Sequence, residues 1–215
     1  MYKYGRNYEN LNKCIFPGVG QFNIPIIKPT HYEGCHEFVG FNYAKGCKDK
    51  DDKGIHFFID DYQFNRVWTN IDKYLPLFSK FKYIMSPDFS TYSNFPKAIQ
   101  IYNHYRKHWI GAYLQQNGMS VIPSISWSDY ESYKWCFDGE PVKSVVAVSS
   151  VGTQQGDDAK KLFLEGYREM VRKLNPAQII FYGKIPEECS GNIIPIEAFH
   201  EKFRIIEEII GNNYC

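Results

Sequence analysis

No apolar run in this 215-residue chain approaches membrane-spanning length. The first residues, MYKYGRNYENLNK, lack the apolar stretch of a secretory leader. Charge of one sign is also missing. Lys and Arg number 25 against 24 Asp and Glu, so the formal net charge is +1, and no global field draws the chain to nucleic acid or to a membrane. A local basic patch stays open. No GxGxxG, Walker A, GxSxG or HExxH pattern occurs. The six Cys, at 14, 35, 47, 136, 189 and 215, are too scattered for a disulfide scaffold in a chain of this size. His31, Cys35, His36 and Cys47 have the spacing of no common zinc motif. The expectation is a soluble cytoplasmic protein with reduced thiols and no membrane partner.

What the chain does have is aromatic residues, 17 Tyr and 16 Phe among them. They imply a large aromatic core, a stacking surface, or both. It also has six short apolar runs that end in chemically capable residues. These are IHFFIDD (55–61), YIMSPDFS (83–90), VIPSISW (121–127), VVAVSS (145–150), IIFYG (179–183) and IIPIE (193–197). Strand, functional residue, helix, repeated, is how an α/β enzyme gathers side chains at one end of a parallel sheet.

The spacing predicts one α/β domain over 1–215, with an irregular part over 1–54 and regular strand–helix repeats over 55–215. In the first part, FPGVG (16–20) reads as a turn or loop. FNIPII (22–27) and VGFN (39–42) read as weak strands, and KDKDDK (48–53) as a solvated loop. Helices are predicted over about 71–81, over 95–116 with Asn94 as cap and Pro96 in its first turn, from Asp157 to about 174, and over about 199–210 before Gly211. A short helix within 128–141 is left open. Eight strands with four helices suggest a compact, trimmed (β/α) TIM-barrel-like fold. The alternative is an open doubly wound parallel sheet, which usually carries a glycine fingerprint that this chain lacks.

Asp60 and Asp61 end the first strong strand and Asp88 ends the next. Carboxylates at equivalent strand ends can divide into acid and base, or hold a divalent cation. Pleating lets only one of Asp60 and Asp61 point the same way as Phe58. Glu197 ends the last strand and would join them if the sheet closed. Each Asp or Glu could equally cap a turn or helix. Arg66 could clamp an anionic group or pair with a local Asp. Trp127 could stack on a ring or plug the core. Ser149, Ser150 and Thr153 precede a helix and suggest an anion site, though with no lysine in the P-loop position. Tyr182 is a candidate proton donor or a hydrogen-bonded core residue. His104 and His108 lie one turn apart and could face a ligand or metal, but Arg106 and Lys107 between them suggest a basic helix surface.

The blocks FFIDDYQFNRVW, SPDFSTYSNFPKAIQIYNHYRKHWIGAYLQQNG and VIPSISW, followed by VAVSSVG and IIFYG, resemble an uncharacterised family. It is catalogued as domain-of-unknown-function family 4417. Its members occur in phages, plasmids and mobile elements of low-GC Gram-positive bacteria. The resemblance spans about residues 24–183. It implies a mobile-element setting and lends no activity or catalytic residue.

The expected function is a mobile-element enzyme acting on a nucleotide or nucleic-acid component, hydrolytic in type. Asp60, Asp61, Asp88 and Glu197 would supply the acidic site, and Arg66, Trp127, Ser149, Ser150, Thr153 and Tyr182 would bind substrate. The cofactor is left unknown, with a divalent cation on Asp60, Asp61 and Asp88 as the candidate. The alternative is a non-catalytic protein that binds nucleic acid or inhibits a host defence protein. Its carrying feature is the aromatic and basic face Tyr102, Tyr105, Arg106, Lys107 and His108.

Overall fold

The computed structural model describes residues 9–153 and 156–198. The elements run β1 (Gly18–Val19), β2 (Ile24–Pro25), β3 (Glu37–Gly40), α1 (Phe41–Ala44), β4 (Lys53–His56), α2 (Asp61–Thr69), α3 (Ile71–Phe78), β5 (Tyr83–Met85), α4 (Lys97–Gln116), β6 (Val121–Ile122), β7 (Val145–Ser149), α5 (Asp157–Leu174), β8 (Gln178–Tyr182) and β9 (Ile193–Ile196). Single 3-10 turns at Lys50–Asp52 and Ser132–Lys134 sit in connections.

Strands β3, β4, β5 and β6 pair in chain order, all parallel, and so do β7, β8 and β9. The β1–β2 ribbon is separate and antiparallel. The two parallel sheets are joined where β6 runs on past Ile122. The Ala147 amide donates to the Pro123 carbonyl at 2.8 Å, and the Ile125 amide donates to the Ala147 carbonyl at 2.7 Å. Two buried serines brace the same place. The Ser124 amide donates to Ser86 Oγ at 2.9 Å, and Ser124 Oγ donates to the Ser86 carbonyl at 2.8 Å. Among the described residues β3 and β9 remain edges, and no strand pair closes a barrel. The open α/β sheet fits this pairing.

Successive strand side chains point to opposite faces. On the helix side, Ile55, Phe57, Ile84 and Val121 pack against Phe64, Phe78, Trp109 and Leu114. Val146, Val148, Ile179 and Phe181 pack against Phe163, Tyr167, Met170 and Leu174. On the other face, Tyr83, Met85, Ile122, Val145, Ala147 and Ile180 form one cluster drawn from both sheets. The rings of His56 on β4 and Tyr182 on β8 lie 4.7 Å apart. Along the pairing order those strands are four steps of about 4.8 Å apart. The inner faces of the two sheets therefore bend toward each other.

Several expected boundaries move. Strand β4 stops at His56, and Asp61 opens α2, where a continuous strand over 55–61 was expected. A carboxylate in the first turn of a helix suits the helix dipole, and this local preference outweighs the apolar run. Similarly, β5 ends at Met85 and the SPDFS segment is a loop. Gly18–Val19 is a strand of the ribbon rather than part of a turn. Helix α4 begins at Lys97 with Pro96 as its flanking residue and no side-chain cap. Helix α5 lies as expected. The segment 199–210, with Gly211, lies outside the described residues, as do Gln154 and Gln155 of the expected GTQQG loop.

Gly166 on α5 faces the indole of Trp127, and a Cβ there would lie 2.1 Å from Trp127 Nε1. Helix propensity alone favours Gly→Ala by about 1 kcal/mol. We expect Gly166→Ala instead to destabilise the fold by about 1–3 kcal/mol through overpacking, measured by denaturant unfolding. A stabilised variant would contradict this packing.

Candidate active site

Two cavities, of about 670 and 400 Å³, open at the C-terminal ends of the parallel strands. They share Asp88, Ser90, Tyr92, Ser149 and Val151, so they are halves of one cleft. This size suits a nucleoside-sized molecule. The larger half adds His56, Phe58, Asp60, Asp61 and Tyr182. The smaller half adds Ser126, Trp127, Ser128 and Thr153. Among the described residues, neither half is lined by Lys or Arg.

Asp61 and Asp88 are brought together by the loop after β5. The Ser90 amide reaches Asp61 Oδ2 at 3.1 Å and Oδ1 at 3.3 Å, and Ser90 Oγ donates to Oδ1 at 2.9 Å. The Ser90 carbonyl is held in turn by Asn103 Nδ2 at 2.6 Å. Arg106 donates to Asn103 Oδ1 at 2.6 Å and to Asn65 Oδ1 at 2.8 Å, and its guanidinium lies 3.9 Å from the Phe89 ring centroid. A chain of contacts from α4 thus fixes the Asp61 carboxylate. Asp88 sits differently. Its Oδ1 is shielded from water and has no hydrogen-bond partner. Burial pushes its carboxyl up to about 6, with the Asp61 charge adding to the rise while Lys107 and Ser126 oppose it. Two neighbouring carboxyls with unlike surroundings are the arrangement from which an acid and a base are drawn.

The other expected site residues are placed as follows. Asp60 is exposed and lines the larger half. Both Asp60 and Asp61 reach the cleft, because the chain leaves the strand pleat at His56 and the one-face argument does not apply. Glu197 is exposed and is not among the lining residues, whereas its neighbour Ala198 is. Arg66 is exposed over the Phe41 ring at 5.2 Å and lines neither half. Trp127 lines the smaller half and packs on Phe163, with ring centroids 5.4 Å apart. Ser149 faces both halves, and its Oγ accepts from the Val151 amide at 3.2 Å. Ser150 is buried and donates to the Lys184 carbonyl at 2.7 Å, while Thr153 Oγ1 donates to the Ser150 carbonyl at 2.8 Å. Of the three hydroxyls expected to hold an anion, those of Ser150 and Thr153 therefore donate to the backbone. The helix that follows opens with Asp157 and Asp158, which repel a second anion. Tyr182 is buried, tilted against His56 and stacked on Phe58 at 5.1 Å.

Sequence reading missed two features. His56 lies inside the IHFFIDD run and its ring lines the cleft, with Nδ1 accepting from the Phe58 amide at 3.3 Å. The signal was parity: within β4, Gly54 and His56 fall on the face opposite Ile55. The second is α4. Lys107 and His108 are buried, with Lys107 Nζ bonded to Glu140 Oε1 and to the Ser124 carbonyl, each at 2.8 Å. This corrects the expected basic surface. The 3.6-residue period of α4 carries its cations inward, where a carboxylate from another loop awaits them.

A family model described as a domain of unknown function, DUF4417, matches residues 16–200. A "Gene 1 protein" of Mycobacterium phage L5 is 33% identical over 191 residues, covering 87% of this chain and 82% of that protein. A "Gene 1 protein" of Mycobacterium phage D29 is 32% identical over 181 residues, covering 83% and 67%. These relatives support a phage association. They do not support the low-GC hosts expected from the resemblance, since mycobacteria are high-GC. No solved structure matches.

The raised Asp88 carboxyl has a signed consequence. The folded chain holds this proton more tightly than the unfolded one. Stability from this group is full below pH 3.8 and is lost as pH rises through about 6. Asp88→Asn removes the loss. After allowance for solvent screening, we expect the variant to exceed the parent by about 1–2 kcal/mol at pH 8. The gain should vanish in acid, as read by urea unfolding across pH. An Asn variant less stable than the parent at pH 8 would contradict the assignment.

Proposed function

The chain belongs to the DUF4417 family, and we propose that it is a phage- or mobile-element-encoded hydrolase of a nucleotide or nucleic-acid component, cleaving the N-glycosidic bond between base and sugar. The observation that carries this reading is the cleft in which Asp88, with a raised carboxyl and an unpartnered oxygen, neighbours the hydrogen-bonded Asp61. The lining supports the choice of bond. Serine hydroxyls and aromatic rings suit a sugar and a base, while phosphate recognition usually recruits Arg or Lys. Tyr92 and Trp127 offer ring faces to a base. Acid–base chemistry is favoured over a cation shared by Asp60, Asp61 and Asp88. The Asp61 oxygens already accept from Ser90, and burial works against a charge on Asp88.

In this reading protonated Asp88 donates to a ring nitrogen of the departing base as the C–N bond breaks. The sugar gains positive charge, which the Asp61 carboxylate offsets. Water then adds to the anomeric carbon and returns a proton to Asp88. The finer fold reading goes with it. A trimmed barrel-like curl of the joined sheets would bring the ends of β4 and β8 to one mouth, as the His56–Tyr182 contact suggests. The alternative, a non-catalytic protein binding nucleic acid or a host defence protein, keeps the half-buried Tyr102, Tyr105 and Arg106 of its α4 face but not Lys107 and His108, which are buried.

The test is to incubate the full chain with nucleosides, nucleotides and single-stranded oligonucleotides, and to follow free base and shortened strands by chromatography. We expect free base, with Asp61→Asn and Asp88→Asn slowing its release by about 10²–10⁴-fold. Arg66→Ala should leave the rate unchanged. No free base from any substrate, or full activity in both Asn variants, would overturn the proposal.

A further inference from the structure

A second constellation lies outside the cleft. Helix α4 carries His104 and His108 one turn apart, with ring centroids 4.3 Å from each other. Glu140, from the segment before β7, meets them, and one ligand-capable atom of each residue lies within 4.8 Å of the others. All three are buried. His104 Nε2 is 3.1 Å from the Asp138 carbonyl, and His108 Nδ1 is 2.8 Å from the Pro25 carbonyl. A carbonyl oxygen only accepts, so these two nitrogens carry the hydrogens. The lone pairs left are those of His104 Nδ1 and His108 Nε2. Backbone carbonyls that fix the outer nitrogen and free the inner one are how metal-binding imidazoles are oriented.

The inner nitrogens face a carboxylate that has one cationic partner, Lys107. His108 Nε2 lies 2.9 Å from Glu140 Oε1, a contact that needs either a proton or a metal ion to bridge the two atoms. Lys107 donates to that same Oε1. Glu140 Oε2 is buried without a hydrogen-bond partner. Burial of His104, with His108 and Lys107 beside it, holds that ring well below the usual histidine range, in the neutral form that ligates metals. The backbone is shaped around the site as well. Gly139 has φ +77°, and a Cβ there would lie 2.5 Å from the Pro25 carbonyl and 2.8 Å from His108 Nδ1.

We propose that His104, His108 and Glu140 bind a divalent transition-metal ion of the zinc class, with water in the fourth position. Two imidazoles and a carboxylate are a common donor set for such ions, with bonds of about 2.0–2.2 Å. Lys107 then acts as an outer partner of the ligating carboxylate. The ion would tie α4 to the 138–140 segment, whose carbonyls and those of β2 already hold the rings. The site is separate from the Asp61–Asp88 cleft and does not depend on the proposed hydrolysis.

The test uses the full chain purified from zinc-supplemented cells, with metal content measured by mass spectrometry. Cobalt is then loaded in place of zinc and its visible spectrum recorded. We expect one ion per chain, tetrahedral cobalt bands, and a lower melting temperature on chelation. His104→Gln and Glu140→Gln should lose the ion while Asp88→Asn keeps it. If the Gln variants fail to fold, the X-ray absorption spectrum of the parent chain decides, and two imidazoles with oxygen ligands are expected. A folded parent chain without metal or cobalt bands would overturn the proposal, leaving a protonated His108 as the partner of Glu140. Ligation by sulfur, or an ion retained in folded Gln variants, would overturn it equally.

Discussion

The site depends on a few hydrogen bonds where β6 hands over to β7. Neither sheet alone makes the cleft. His56 comes from the first sheet, with Asp61 and Asp88 from the segments that follow its strands β4 and β5, and Ser149 and Tyr182 come from the second. The joint is the Pro123–Ile125 backbone paired with Ala147, braced by the reciprocal bonds of Ser86 and Ser124. A buried serine pair that satisfies both hydroxyl and backbone groups costs little and fixes register. With the sheets joined, their inner side chains share one cluster, and the strand ends face a common space.

Helix α4 supports that space with a half-buried charge, Arg106, and a buried one, Lys107. Arg106 holds the 88–90 loop through Asn103 and Phe89, while Lys107 spans Glu140 and the Ser124 carbonyl. Lys107 thus joins the buried cluster around Glu140 to the joint between the sheets, and its charge is felt at Asp88. Removing one member of such a buried pair leaves an uncompensated charge, which is costly. Asp88 runs the other way. Its unpartnered oxygen and raised carboxyl are unfavourable for stability, as groups suited to acid–base work often are.

Strand ends were legible in the sequence because apolar runs followed by Asp, Ser or Gly mark them, and the cleft lies where those ends meet. Asp61, Asp88, Trp127 and Ser149 line it. Arg66 does not, because its position in α2 turns it over Phe41. The engagement of Ser150 by the backbone could not be read from residue type, since it depends on how the loop after β8 passes that turn, whereas Thr153 bonds locally to the Ser150 carbonyl. Nor was the inward face of α4 legible. Its cations read as solvent-facing until Glu140, 33 residues after Lys107, is brought against them by tertiary structure. The aromatic excess proved to be mainly core, with Phe57, Phe64, Phe78, Phe89 and Trp109 fully buried.

The central claim is that Asp88 and Asp61 form an unequal carboxyl pair in the cleft. Carbon-detected NMR titration of the aspartate carboxyl groups tests it most directly, with Asp88 assigned through Asp88→Asn. The account predicts that Asp88 titrates near pH 6 and shifts downward in Asp61→Asn, where the neighbouring charge is gone. An Asp88 that titrates at the ordinary aspartate value of about 3.9, unmoved by the Asp61 substitution, would contradict it.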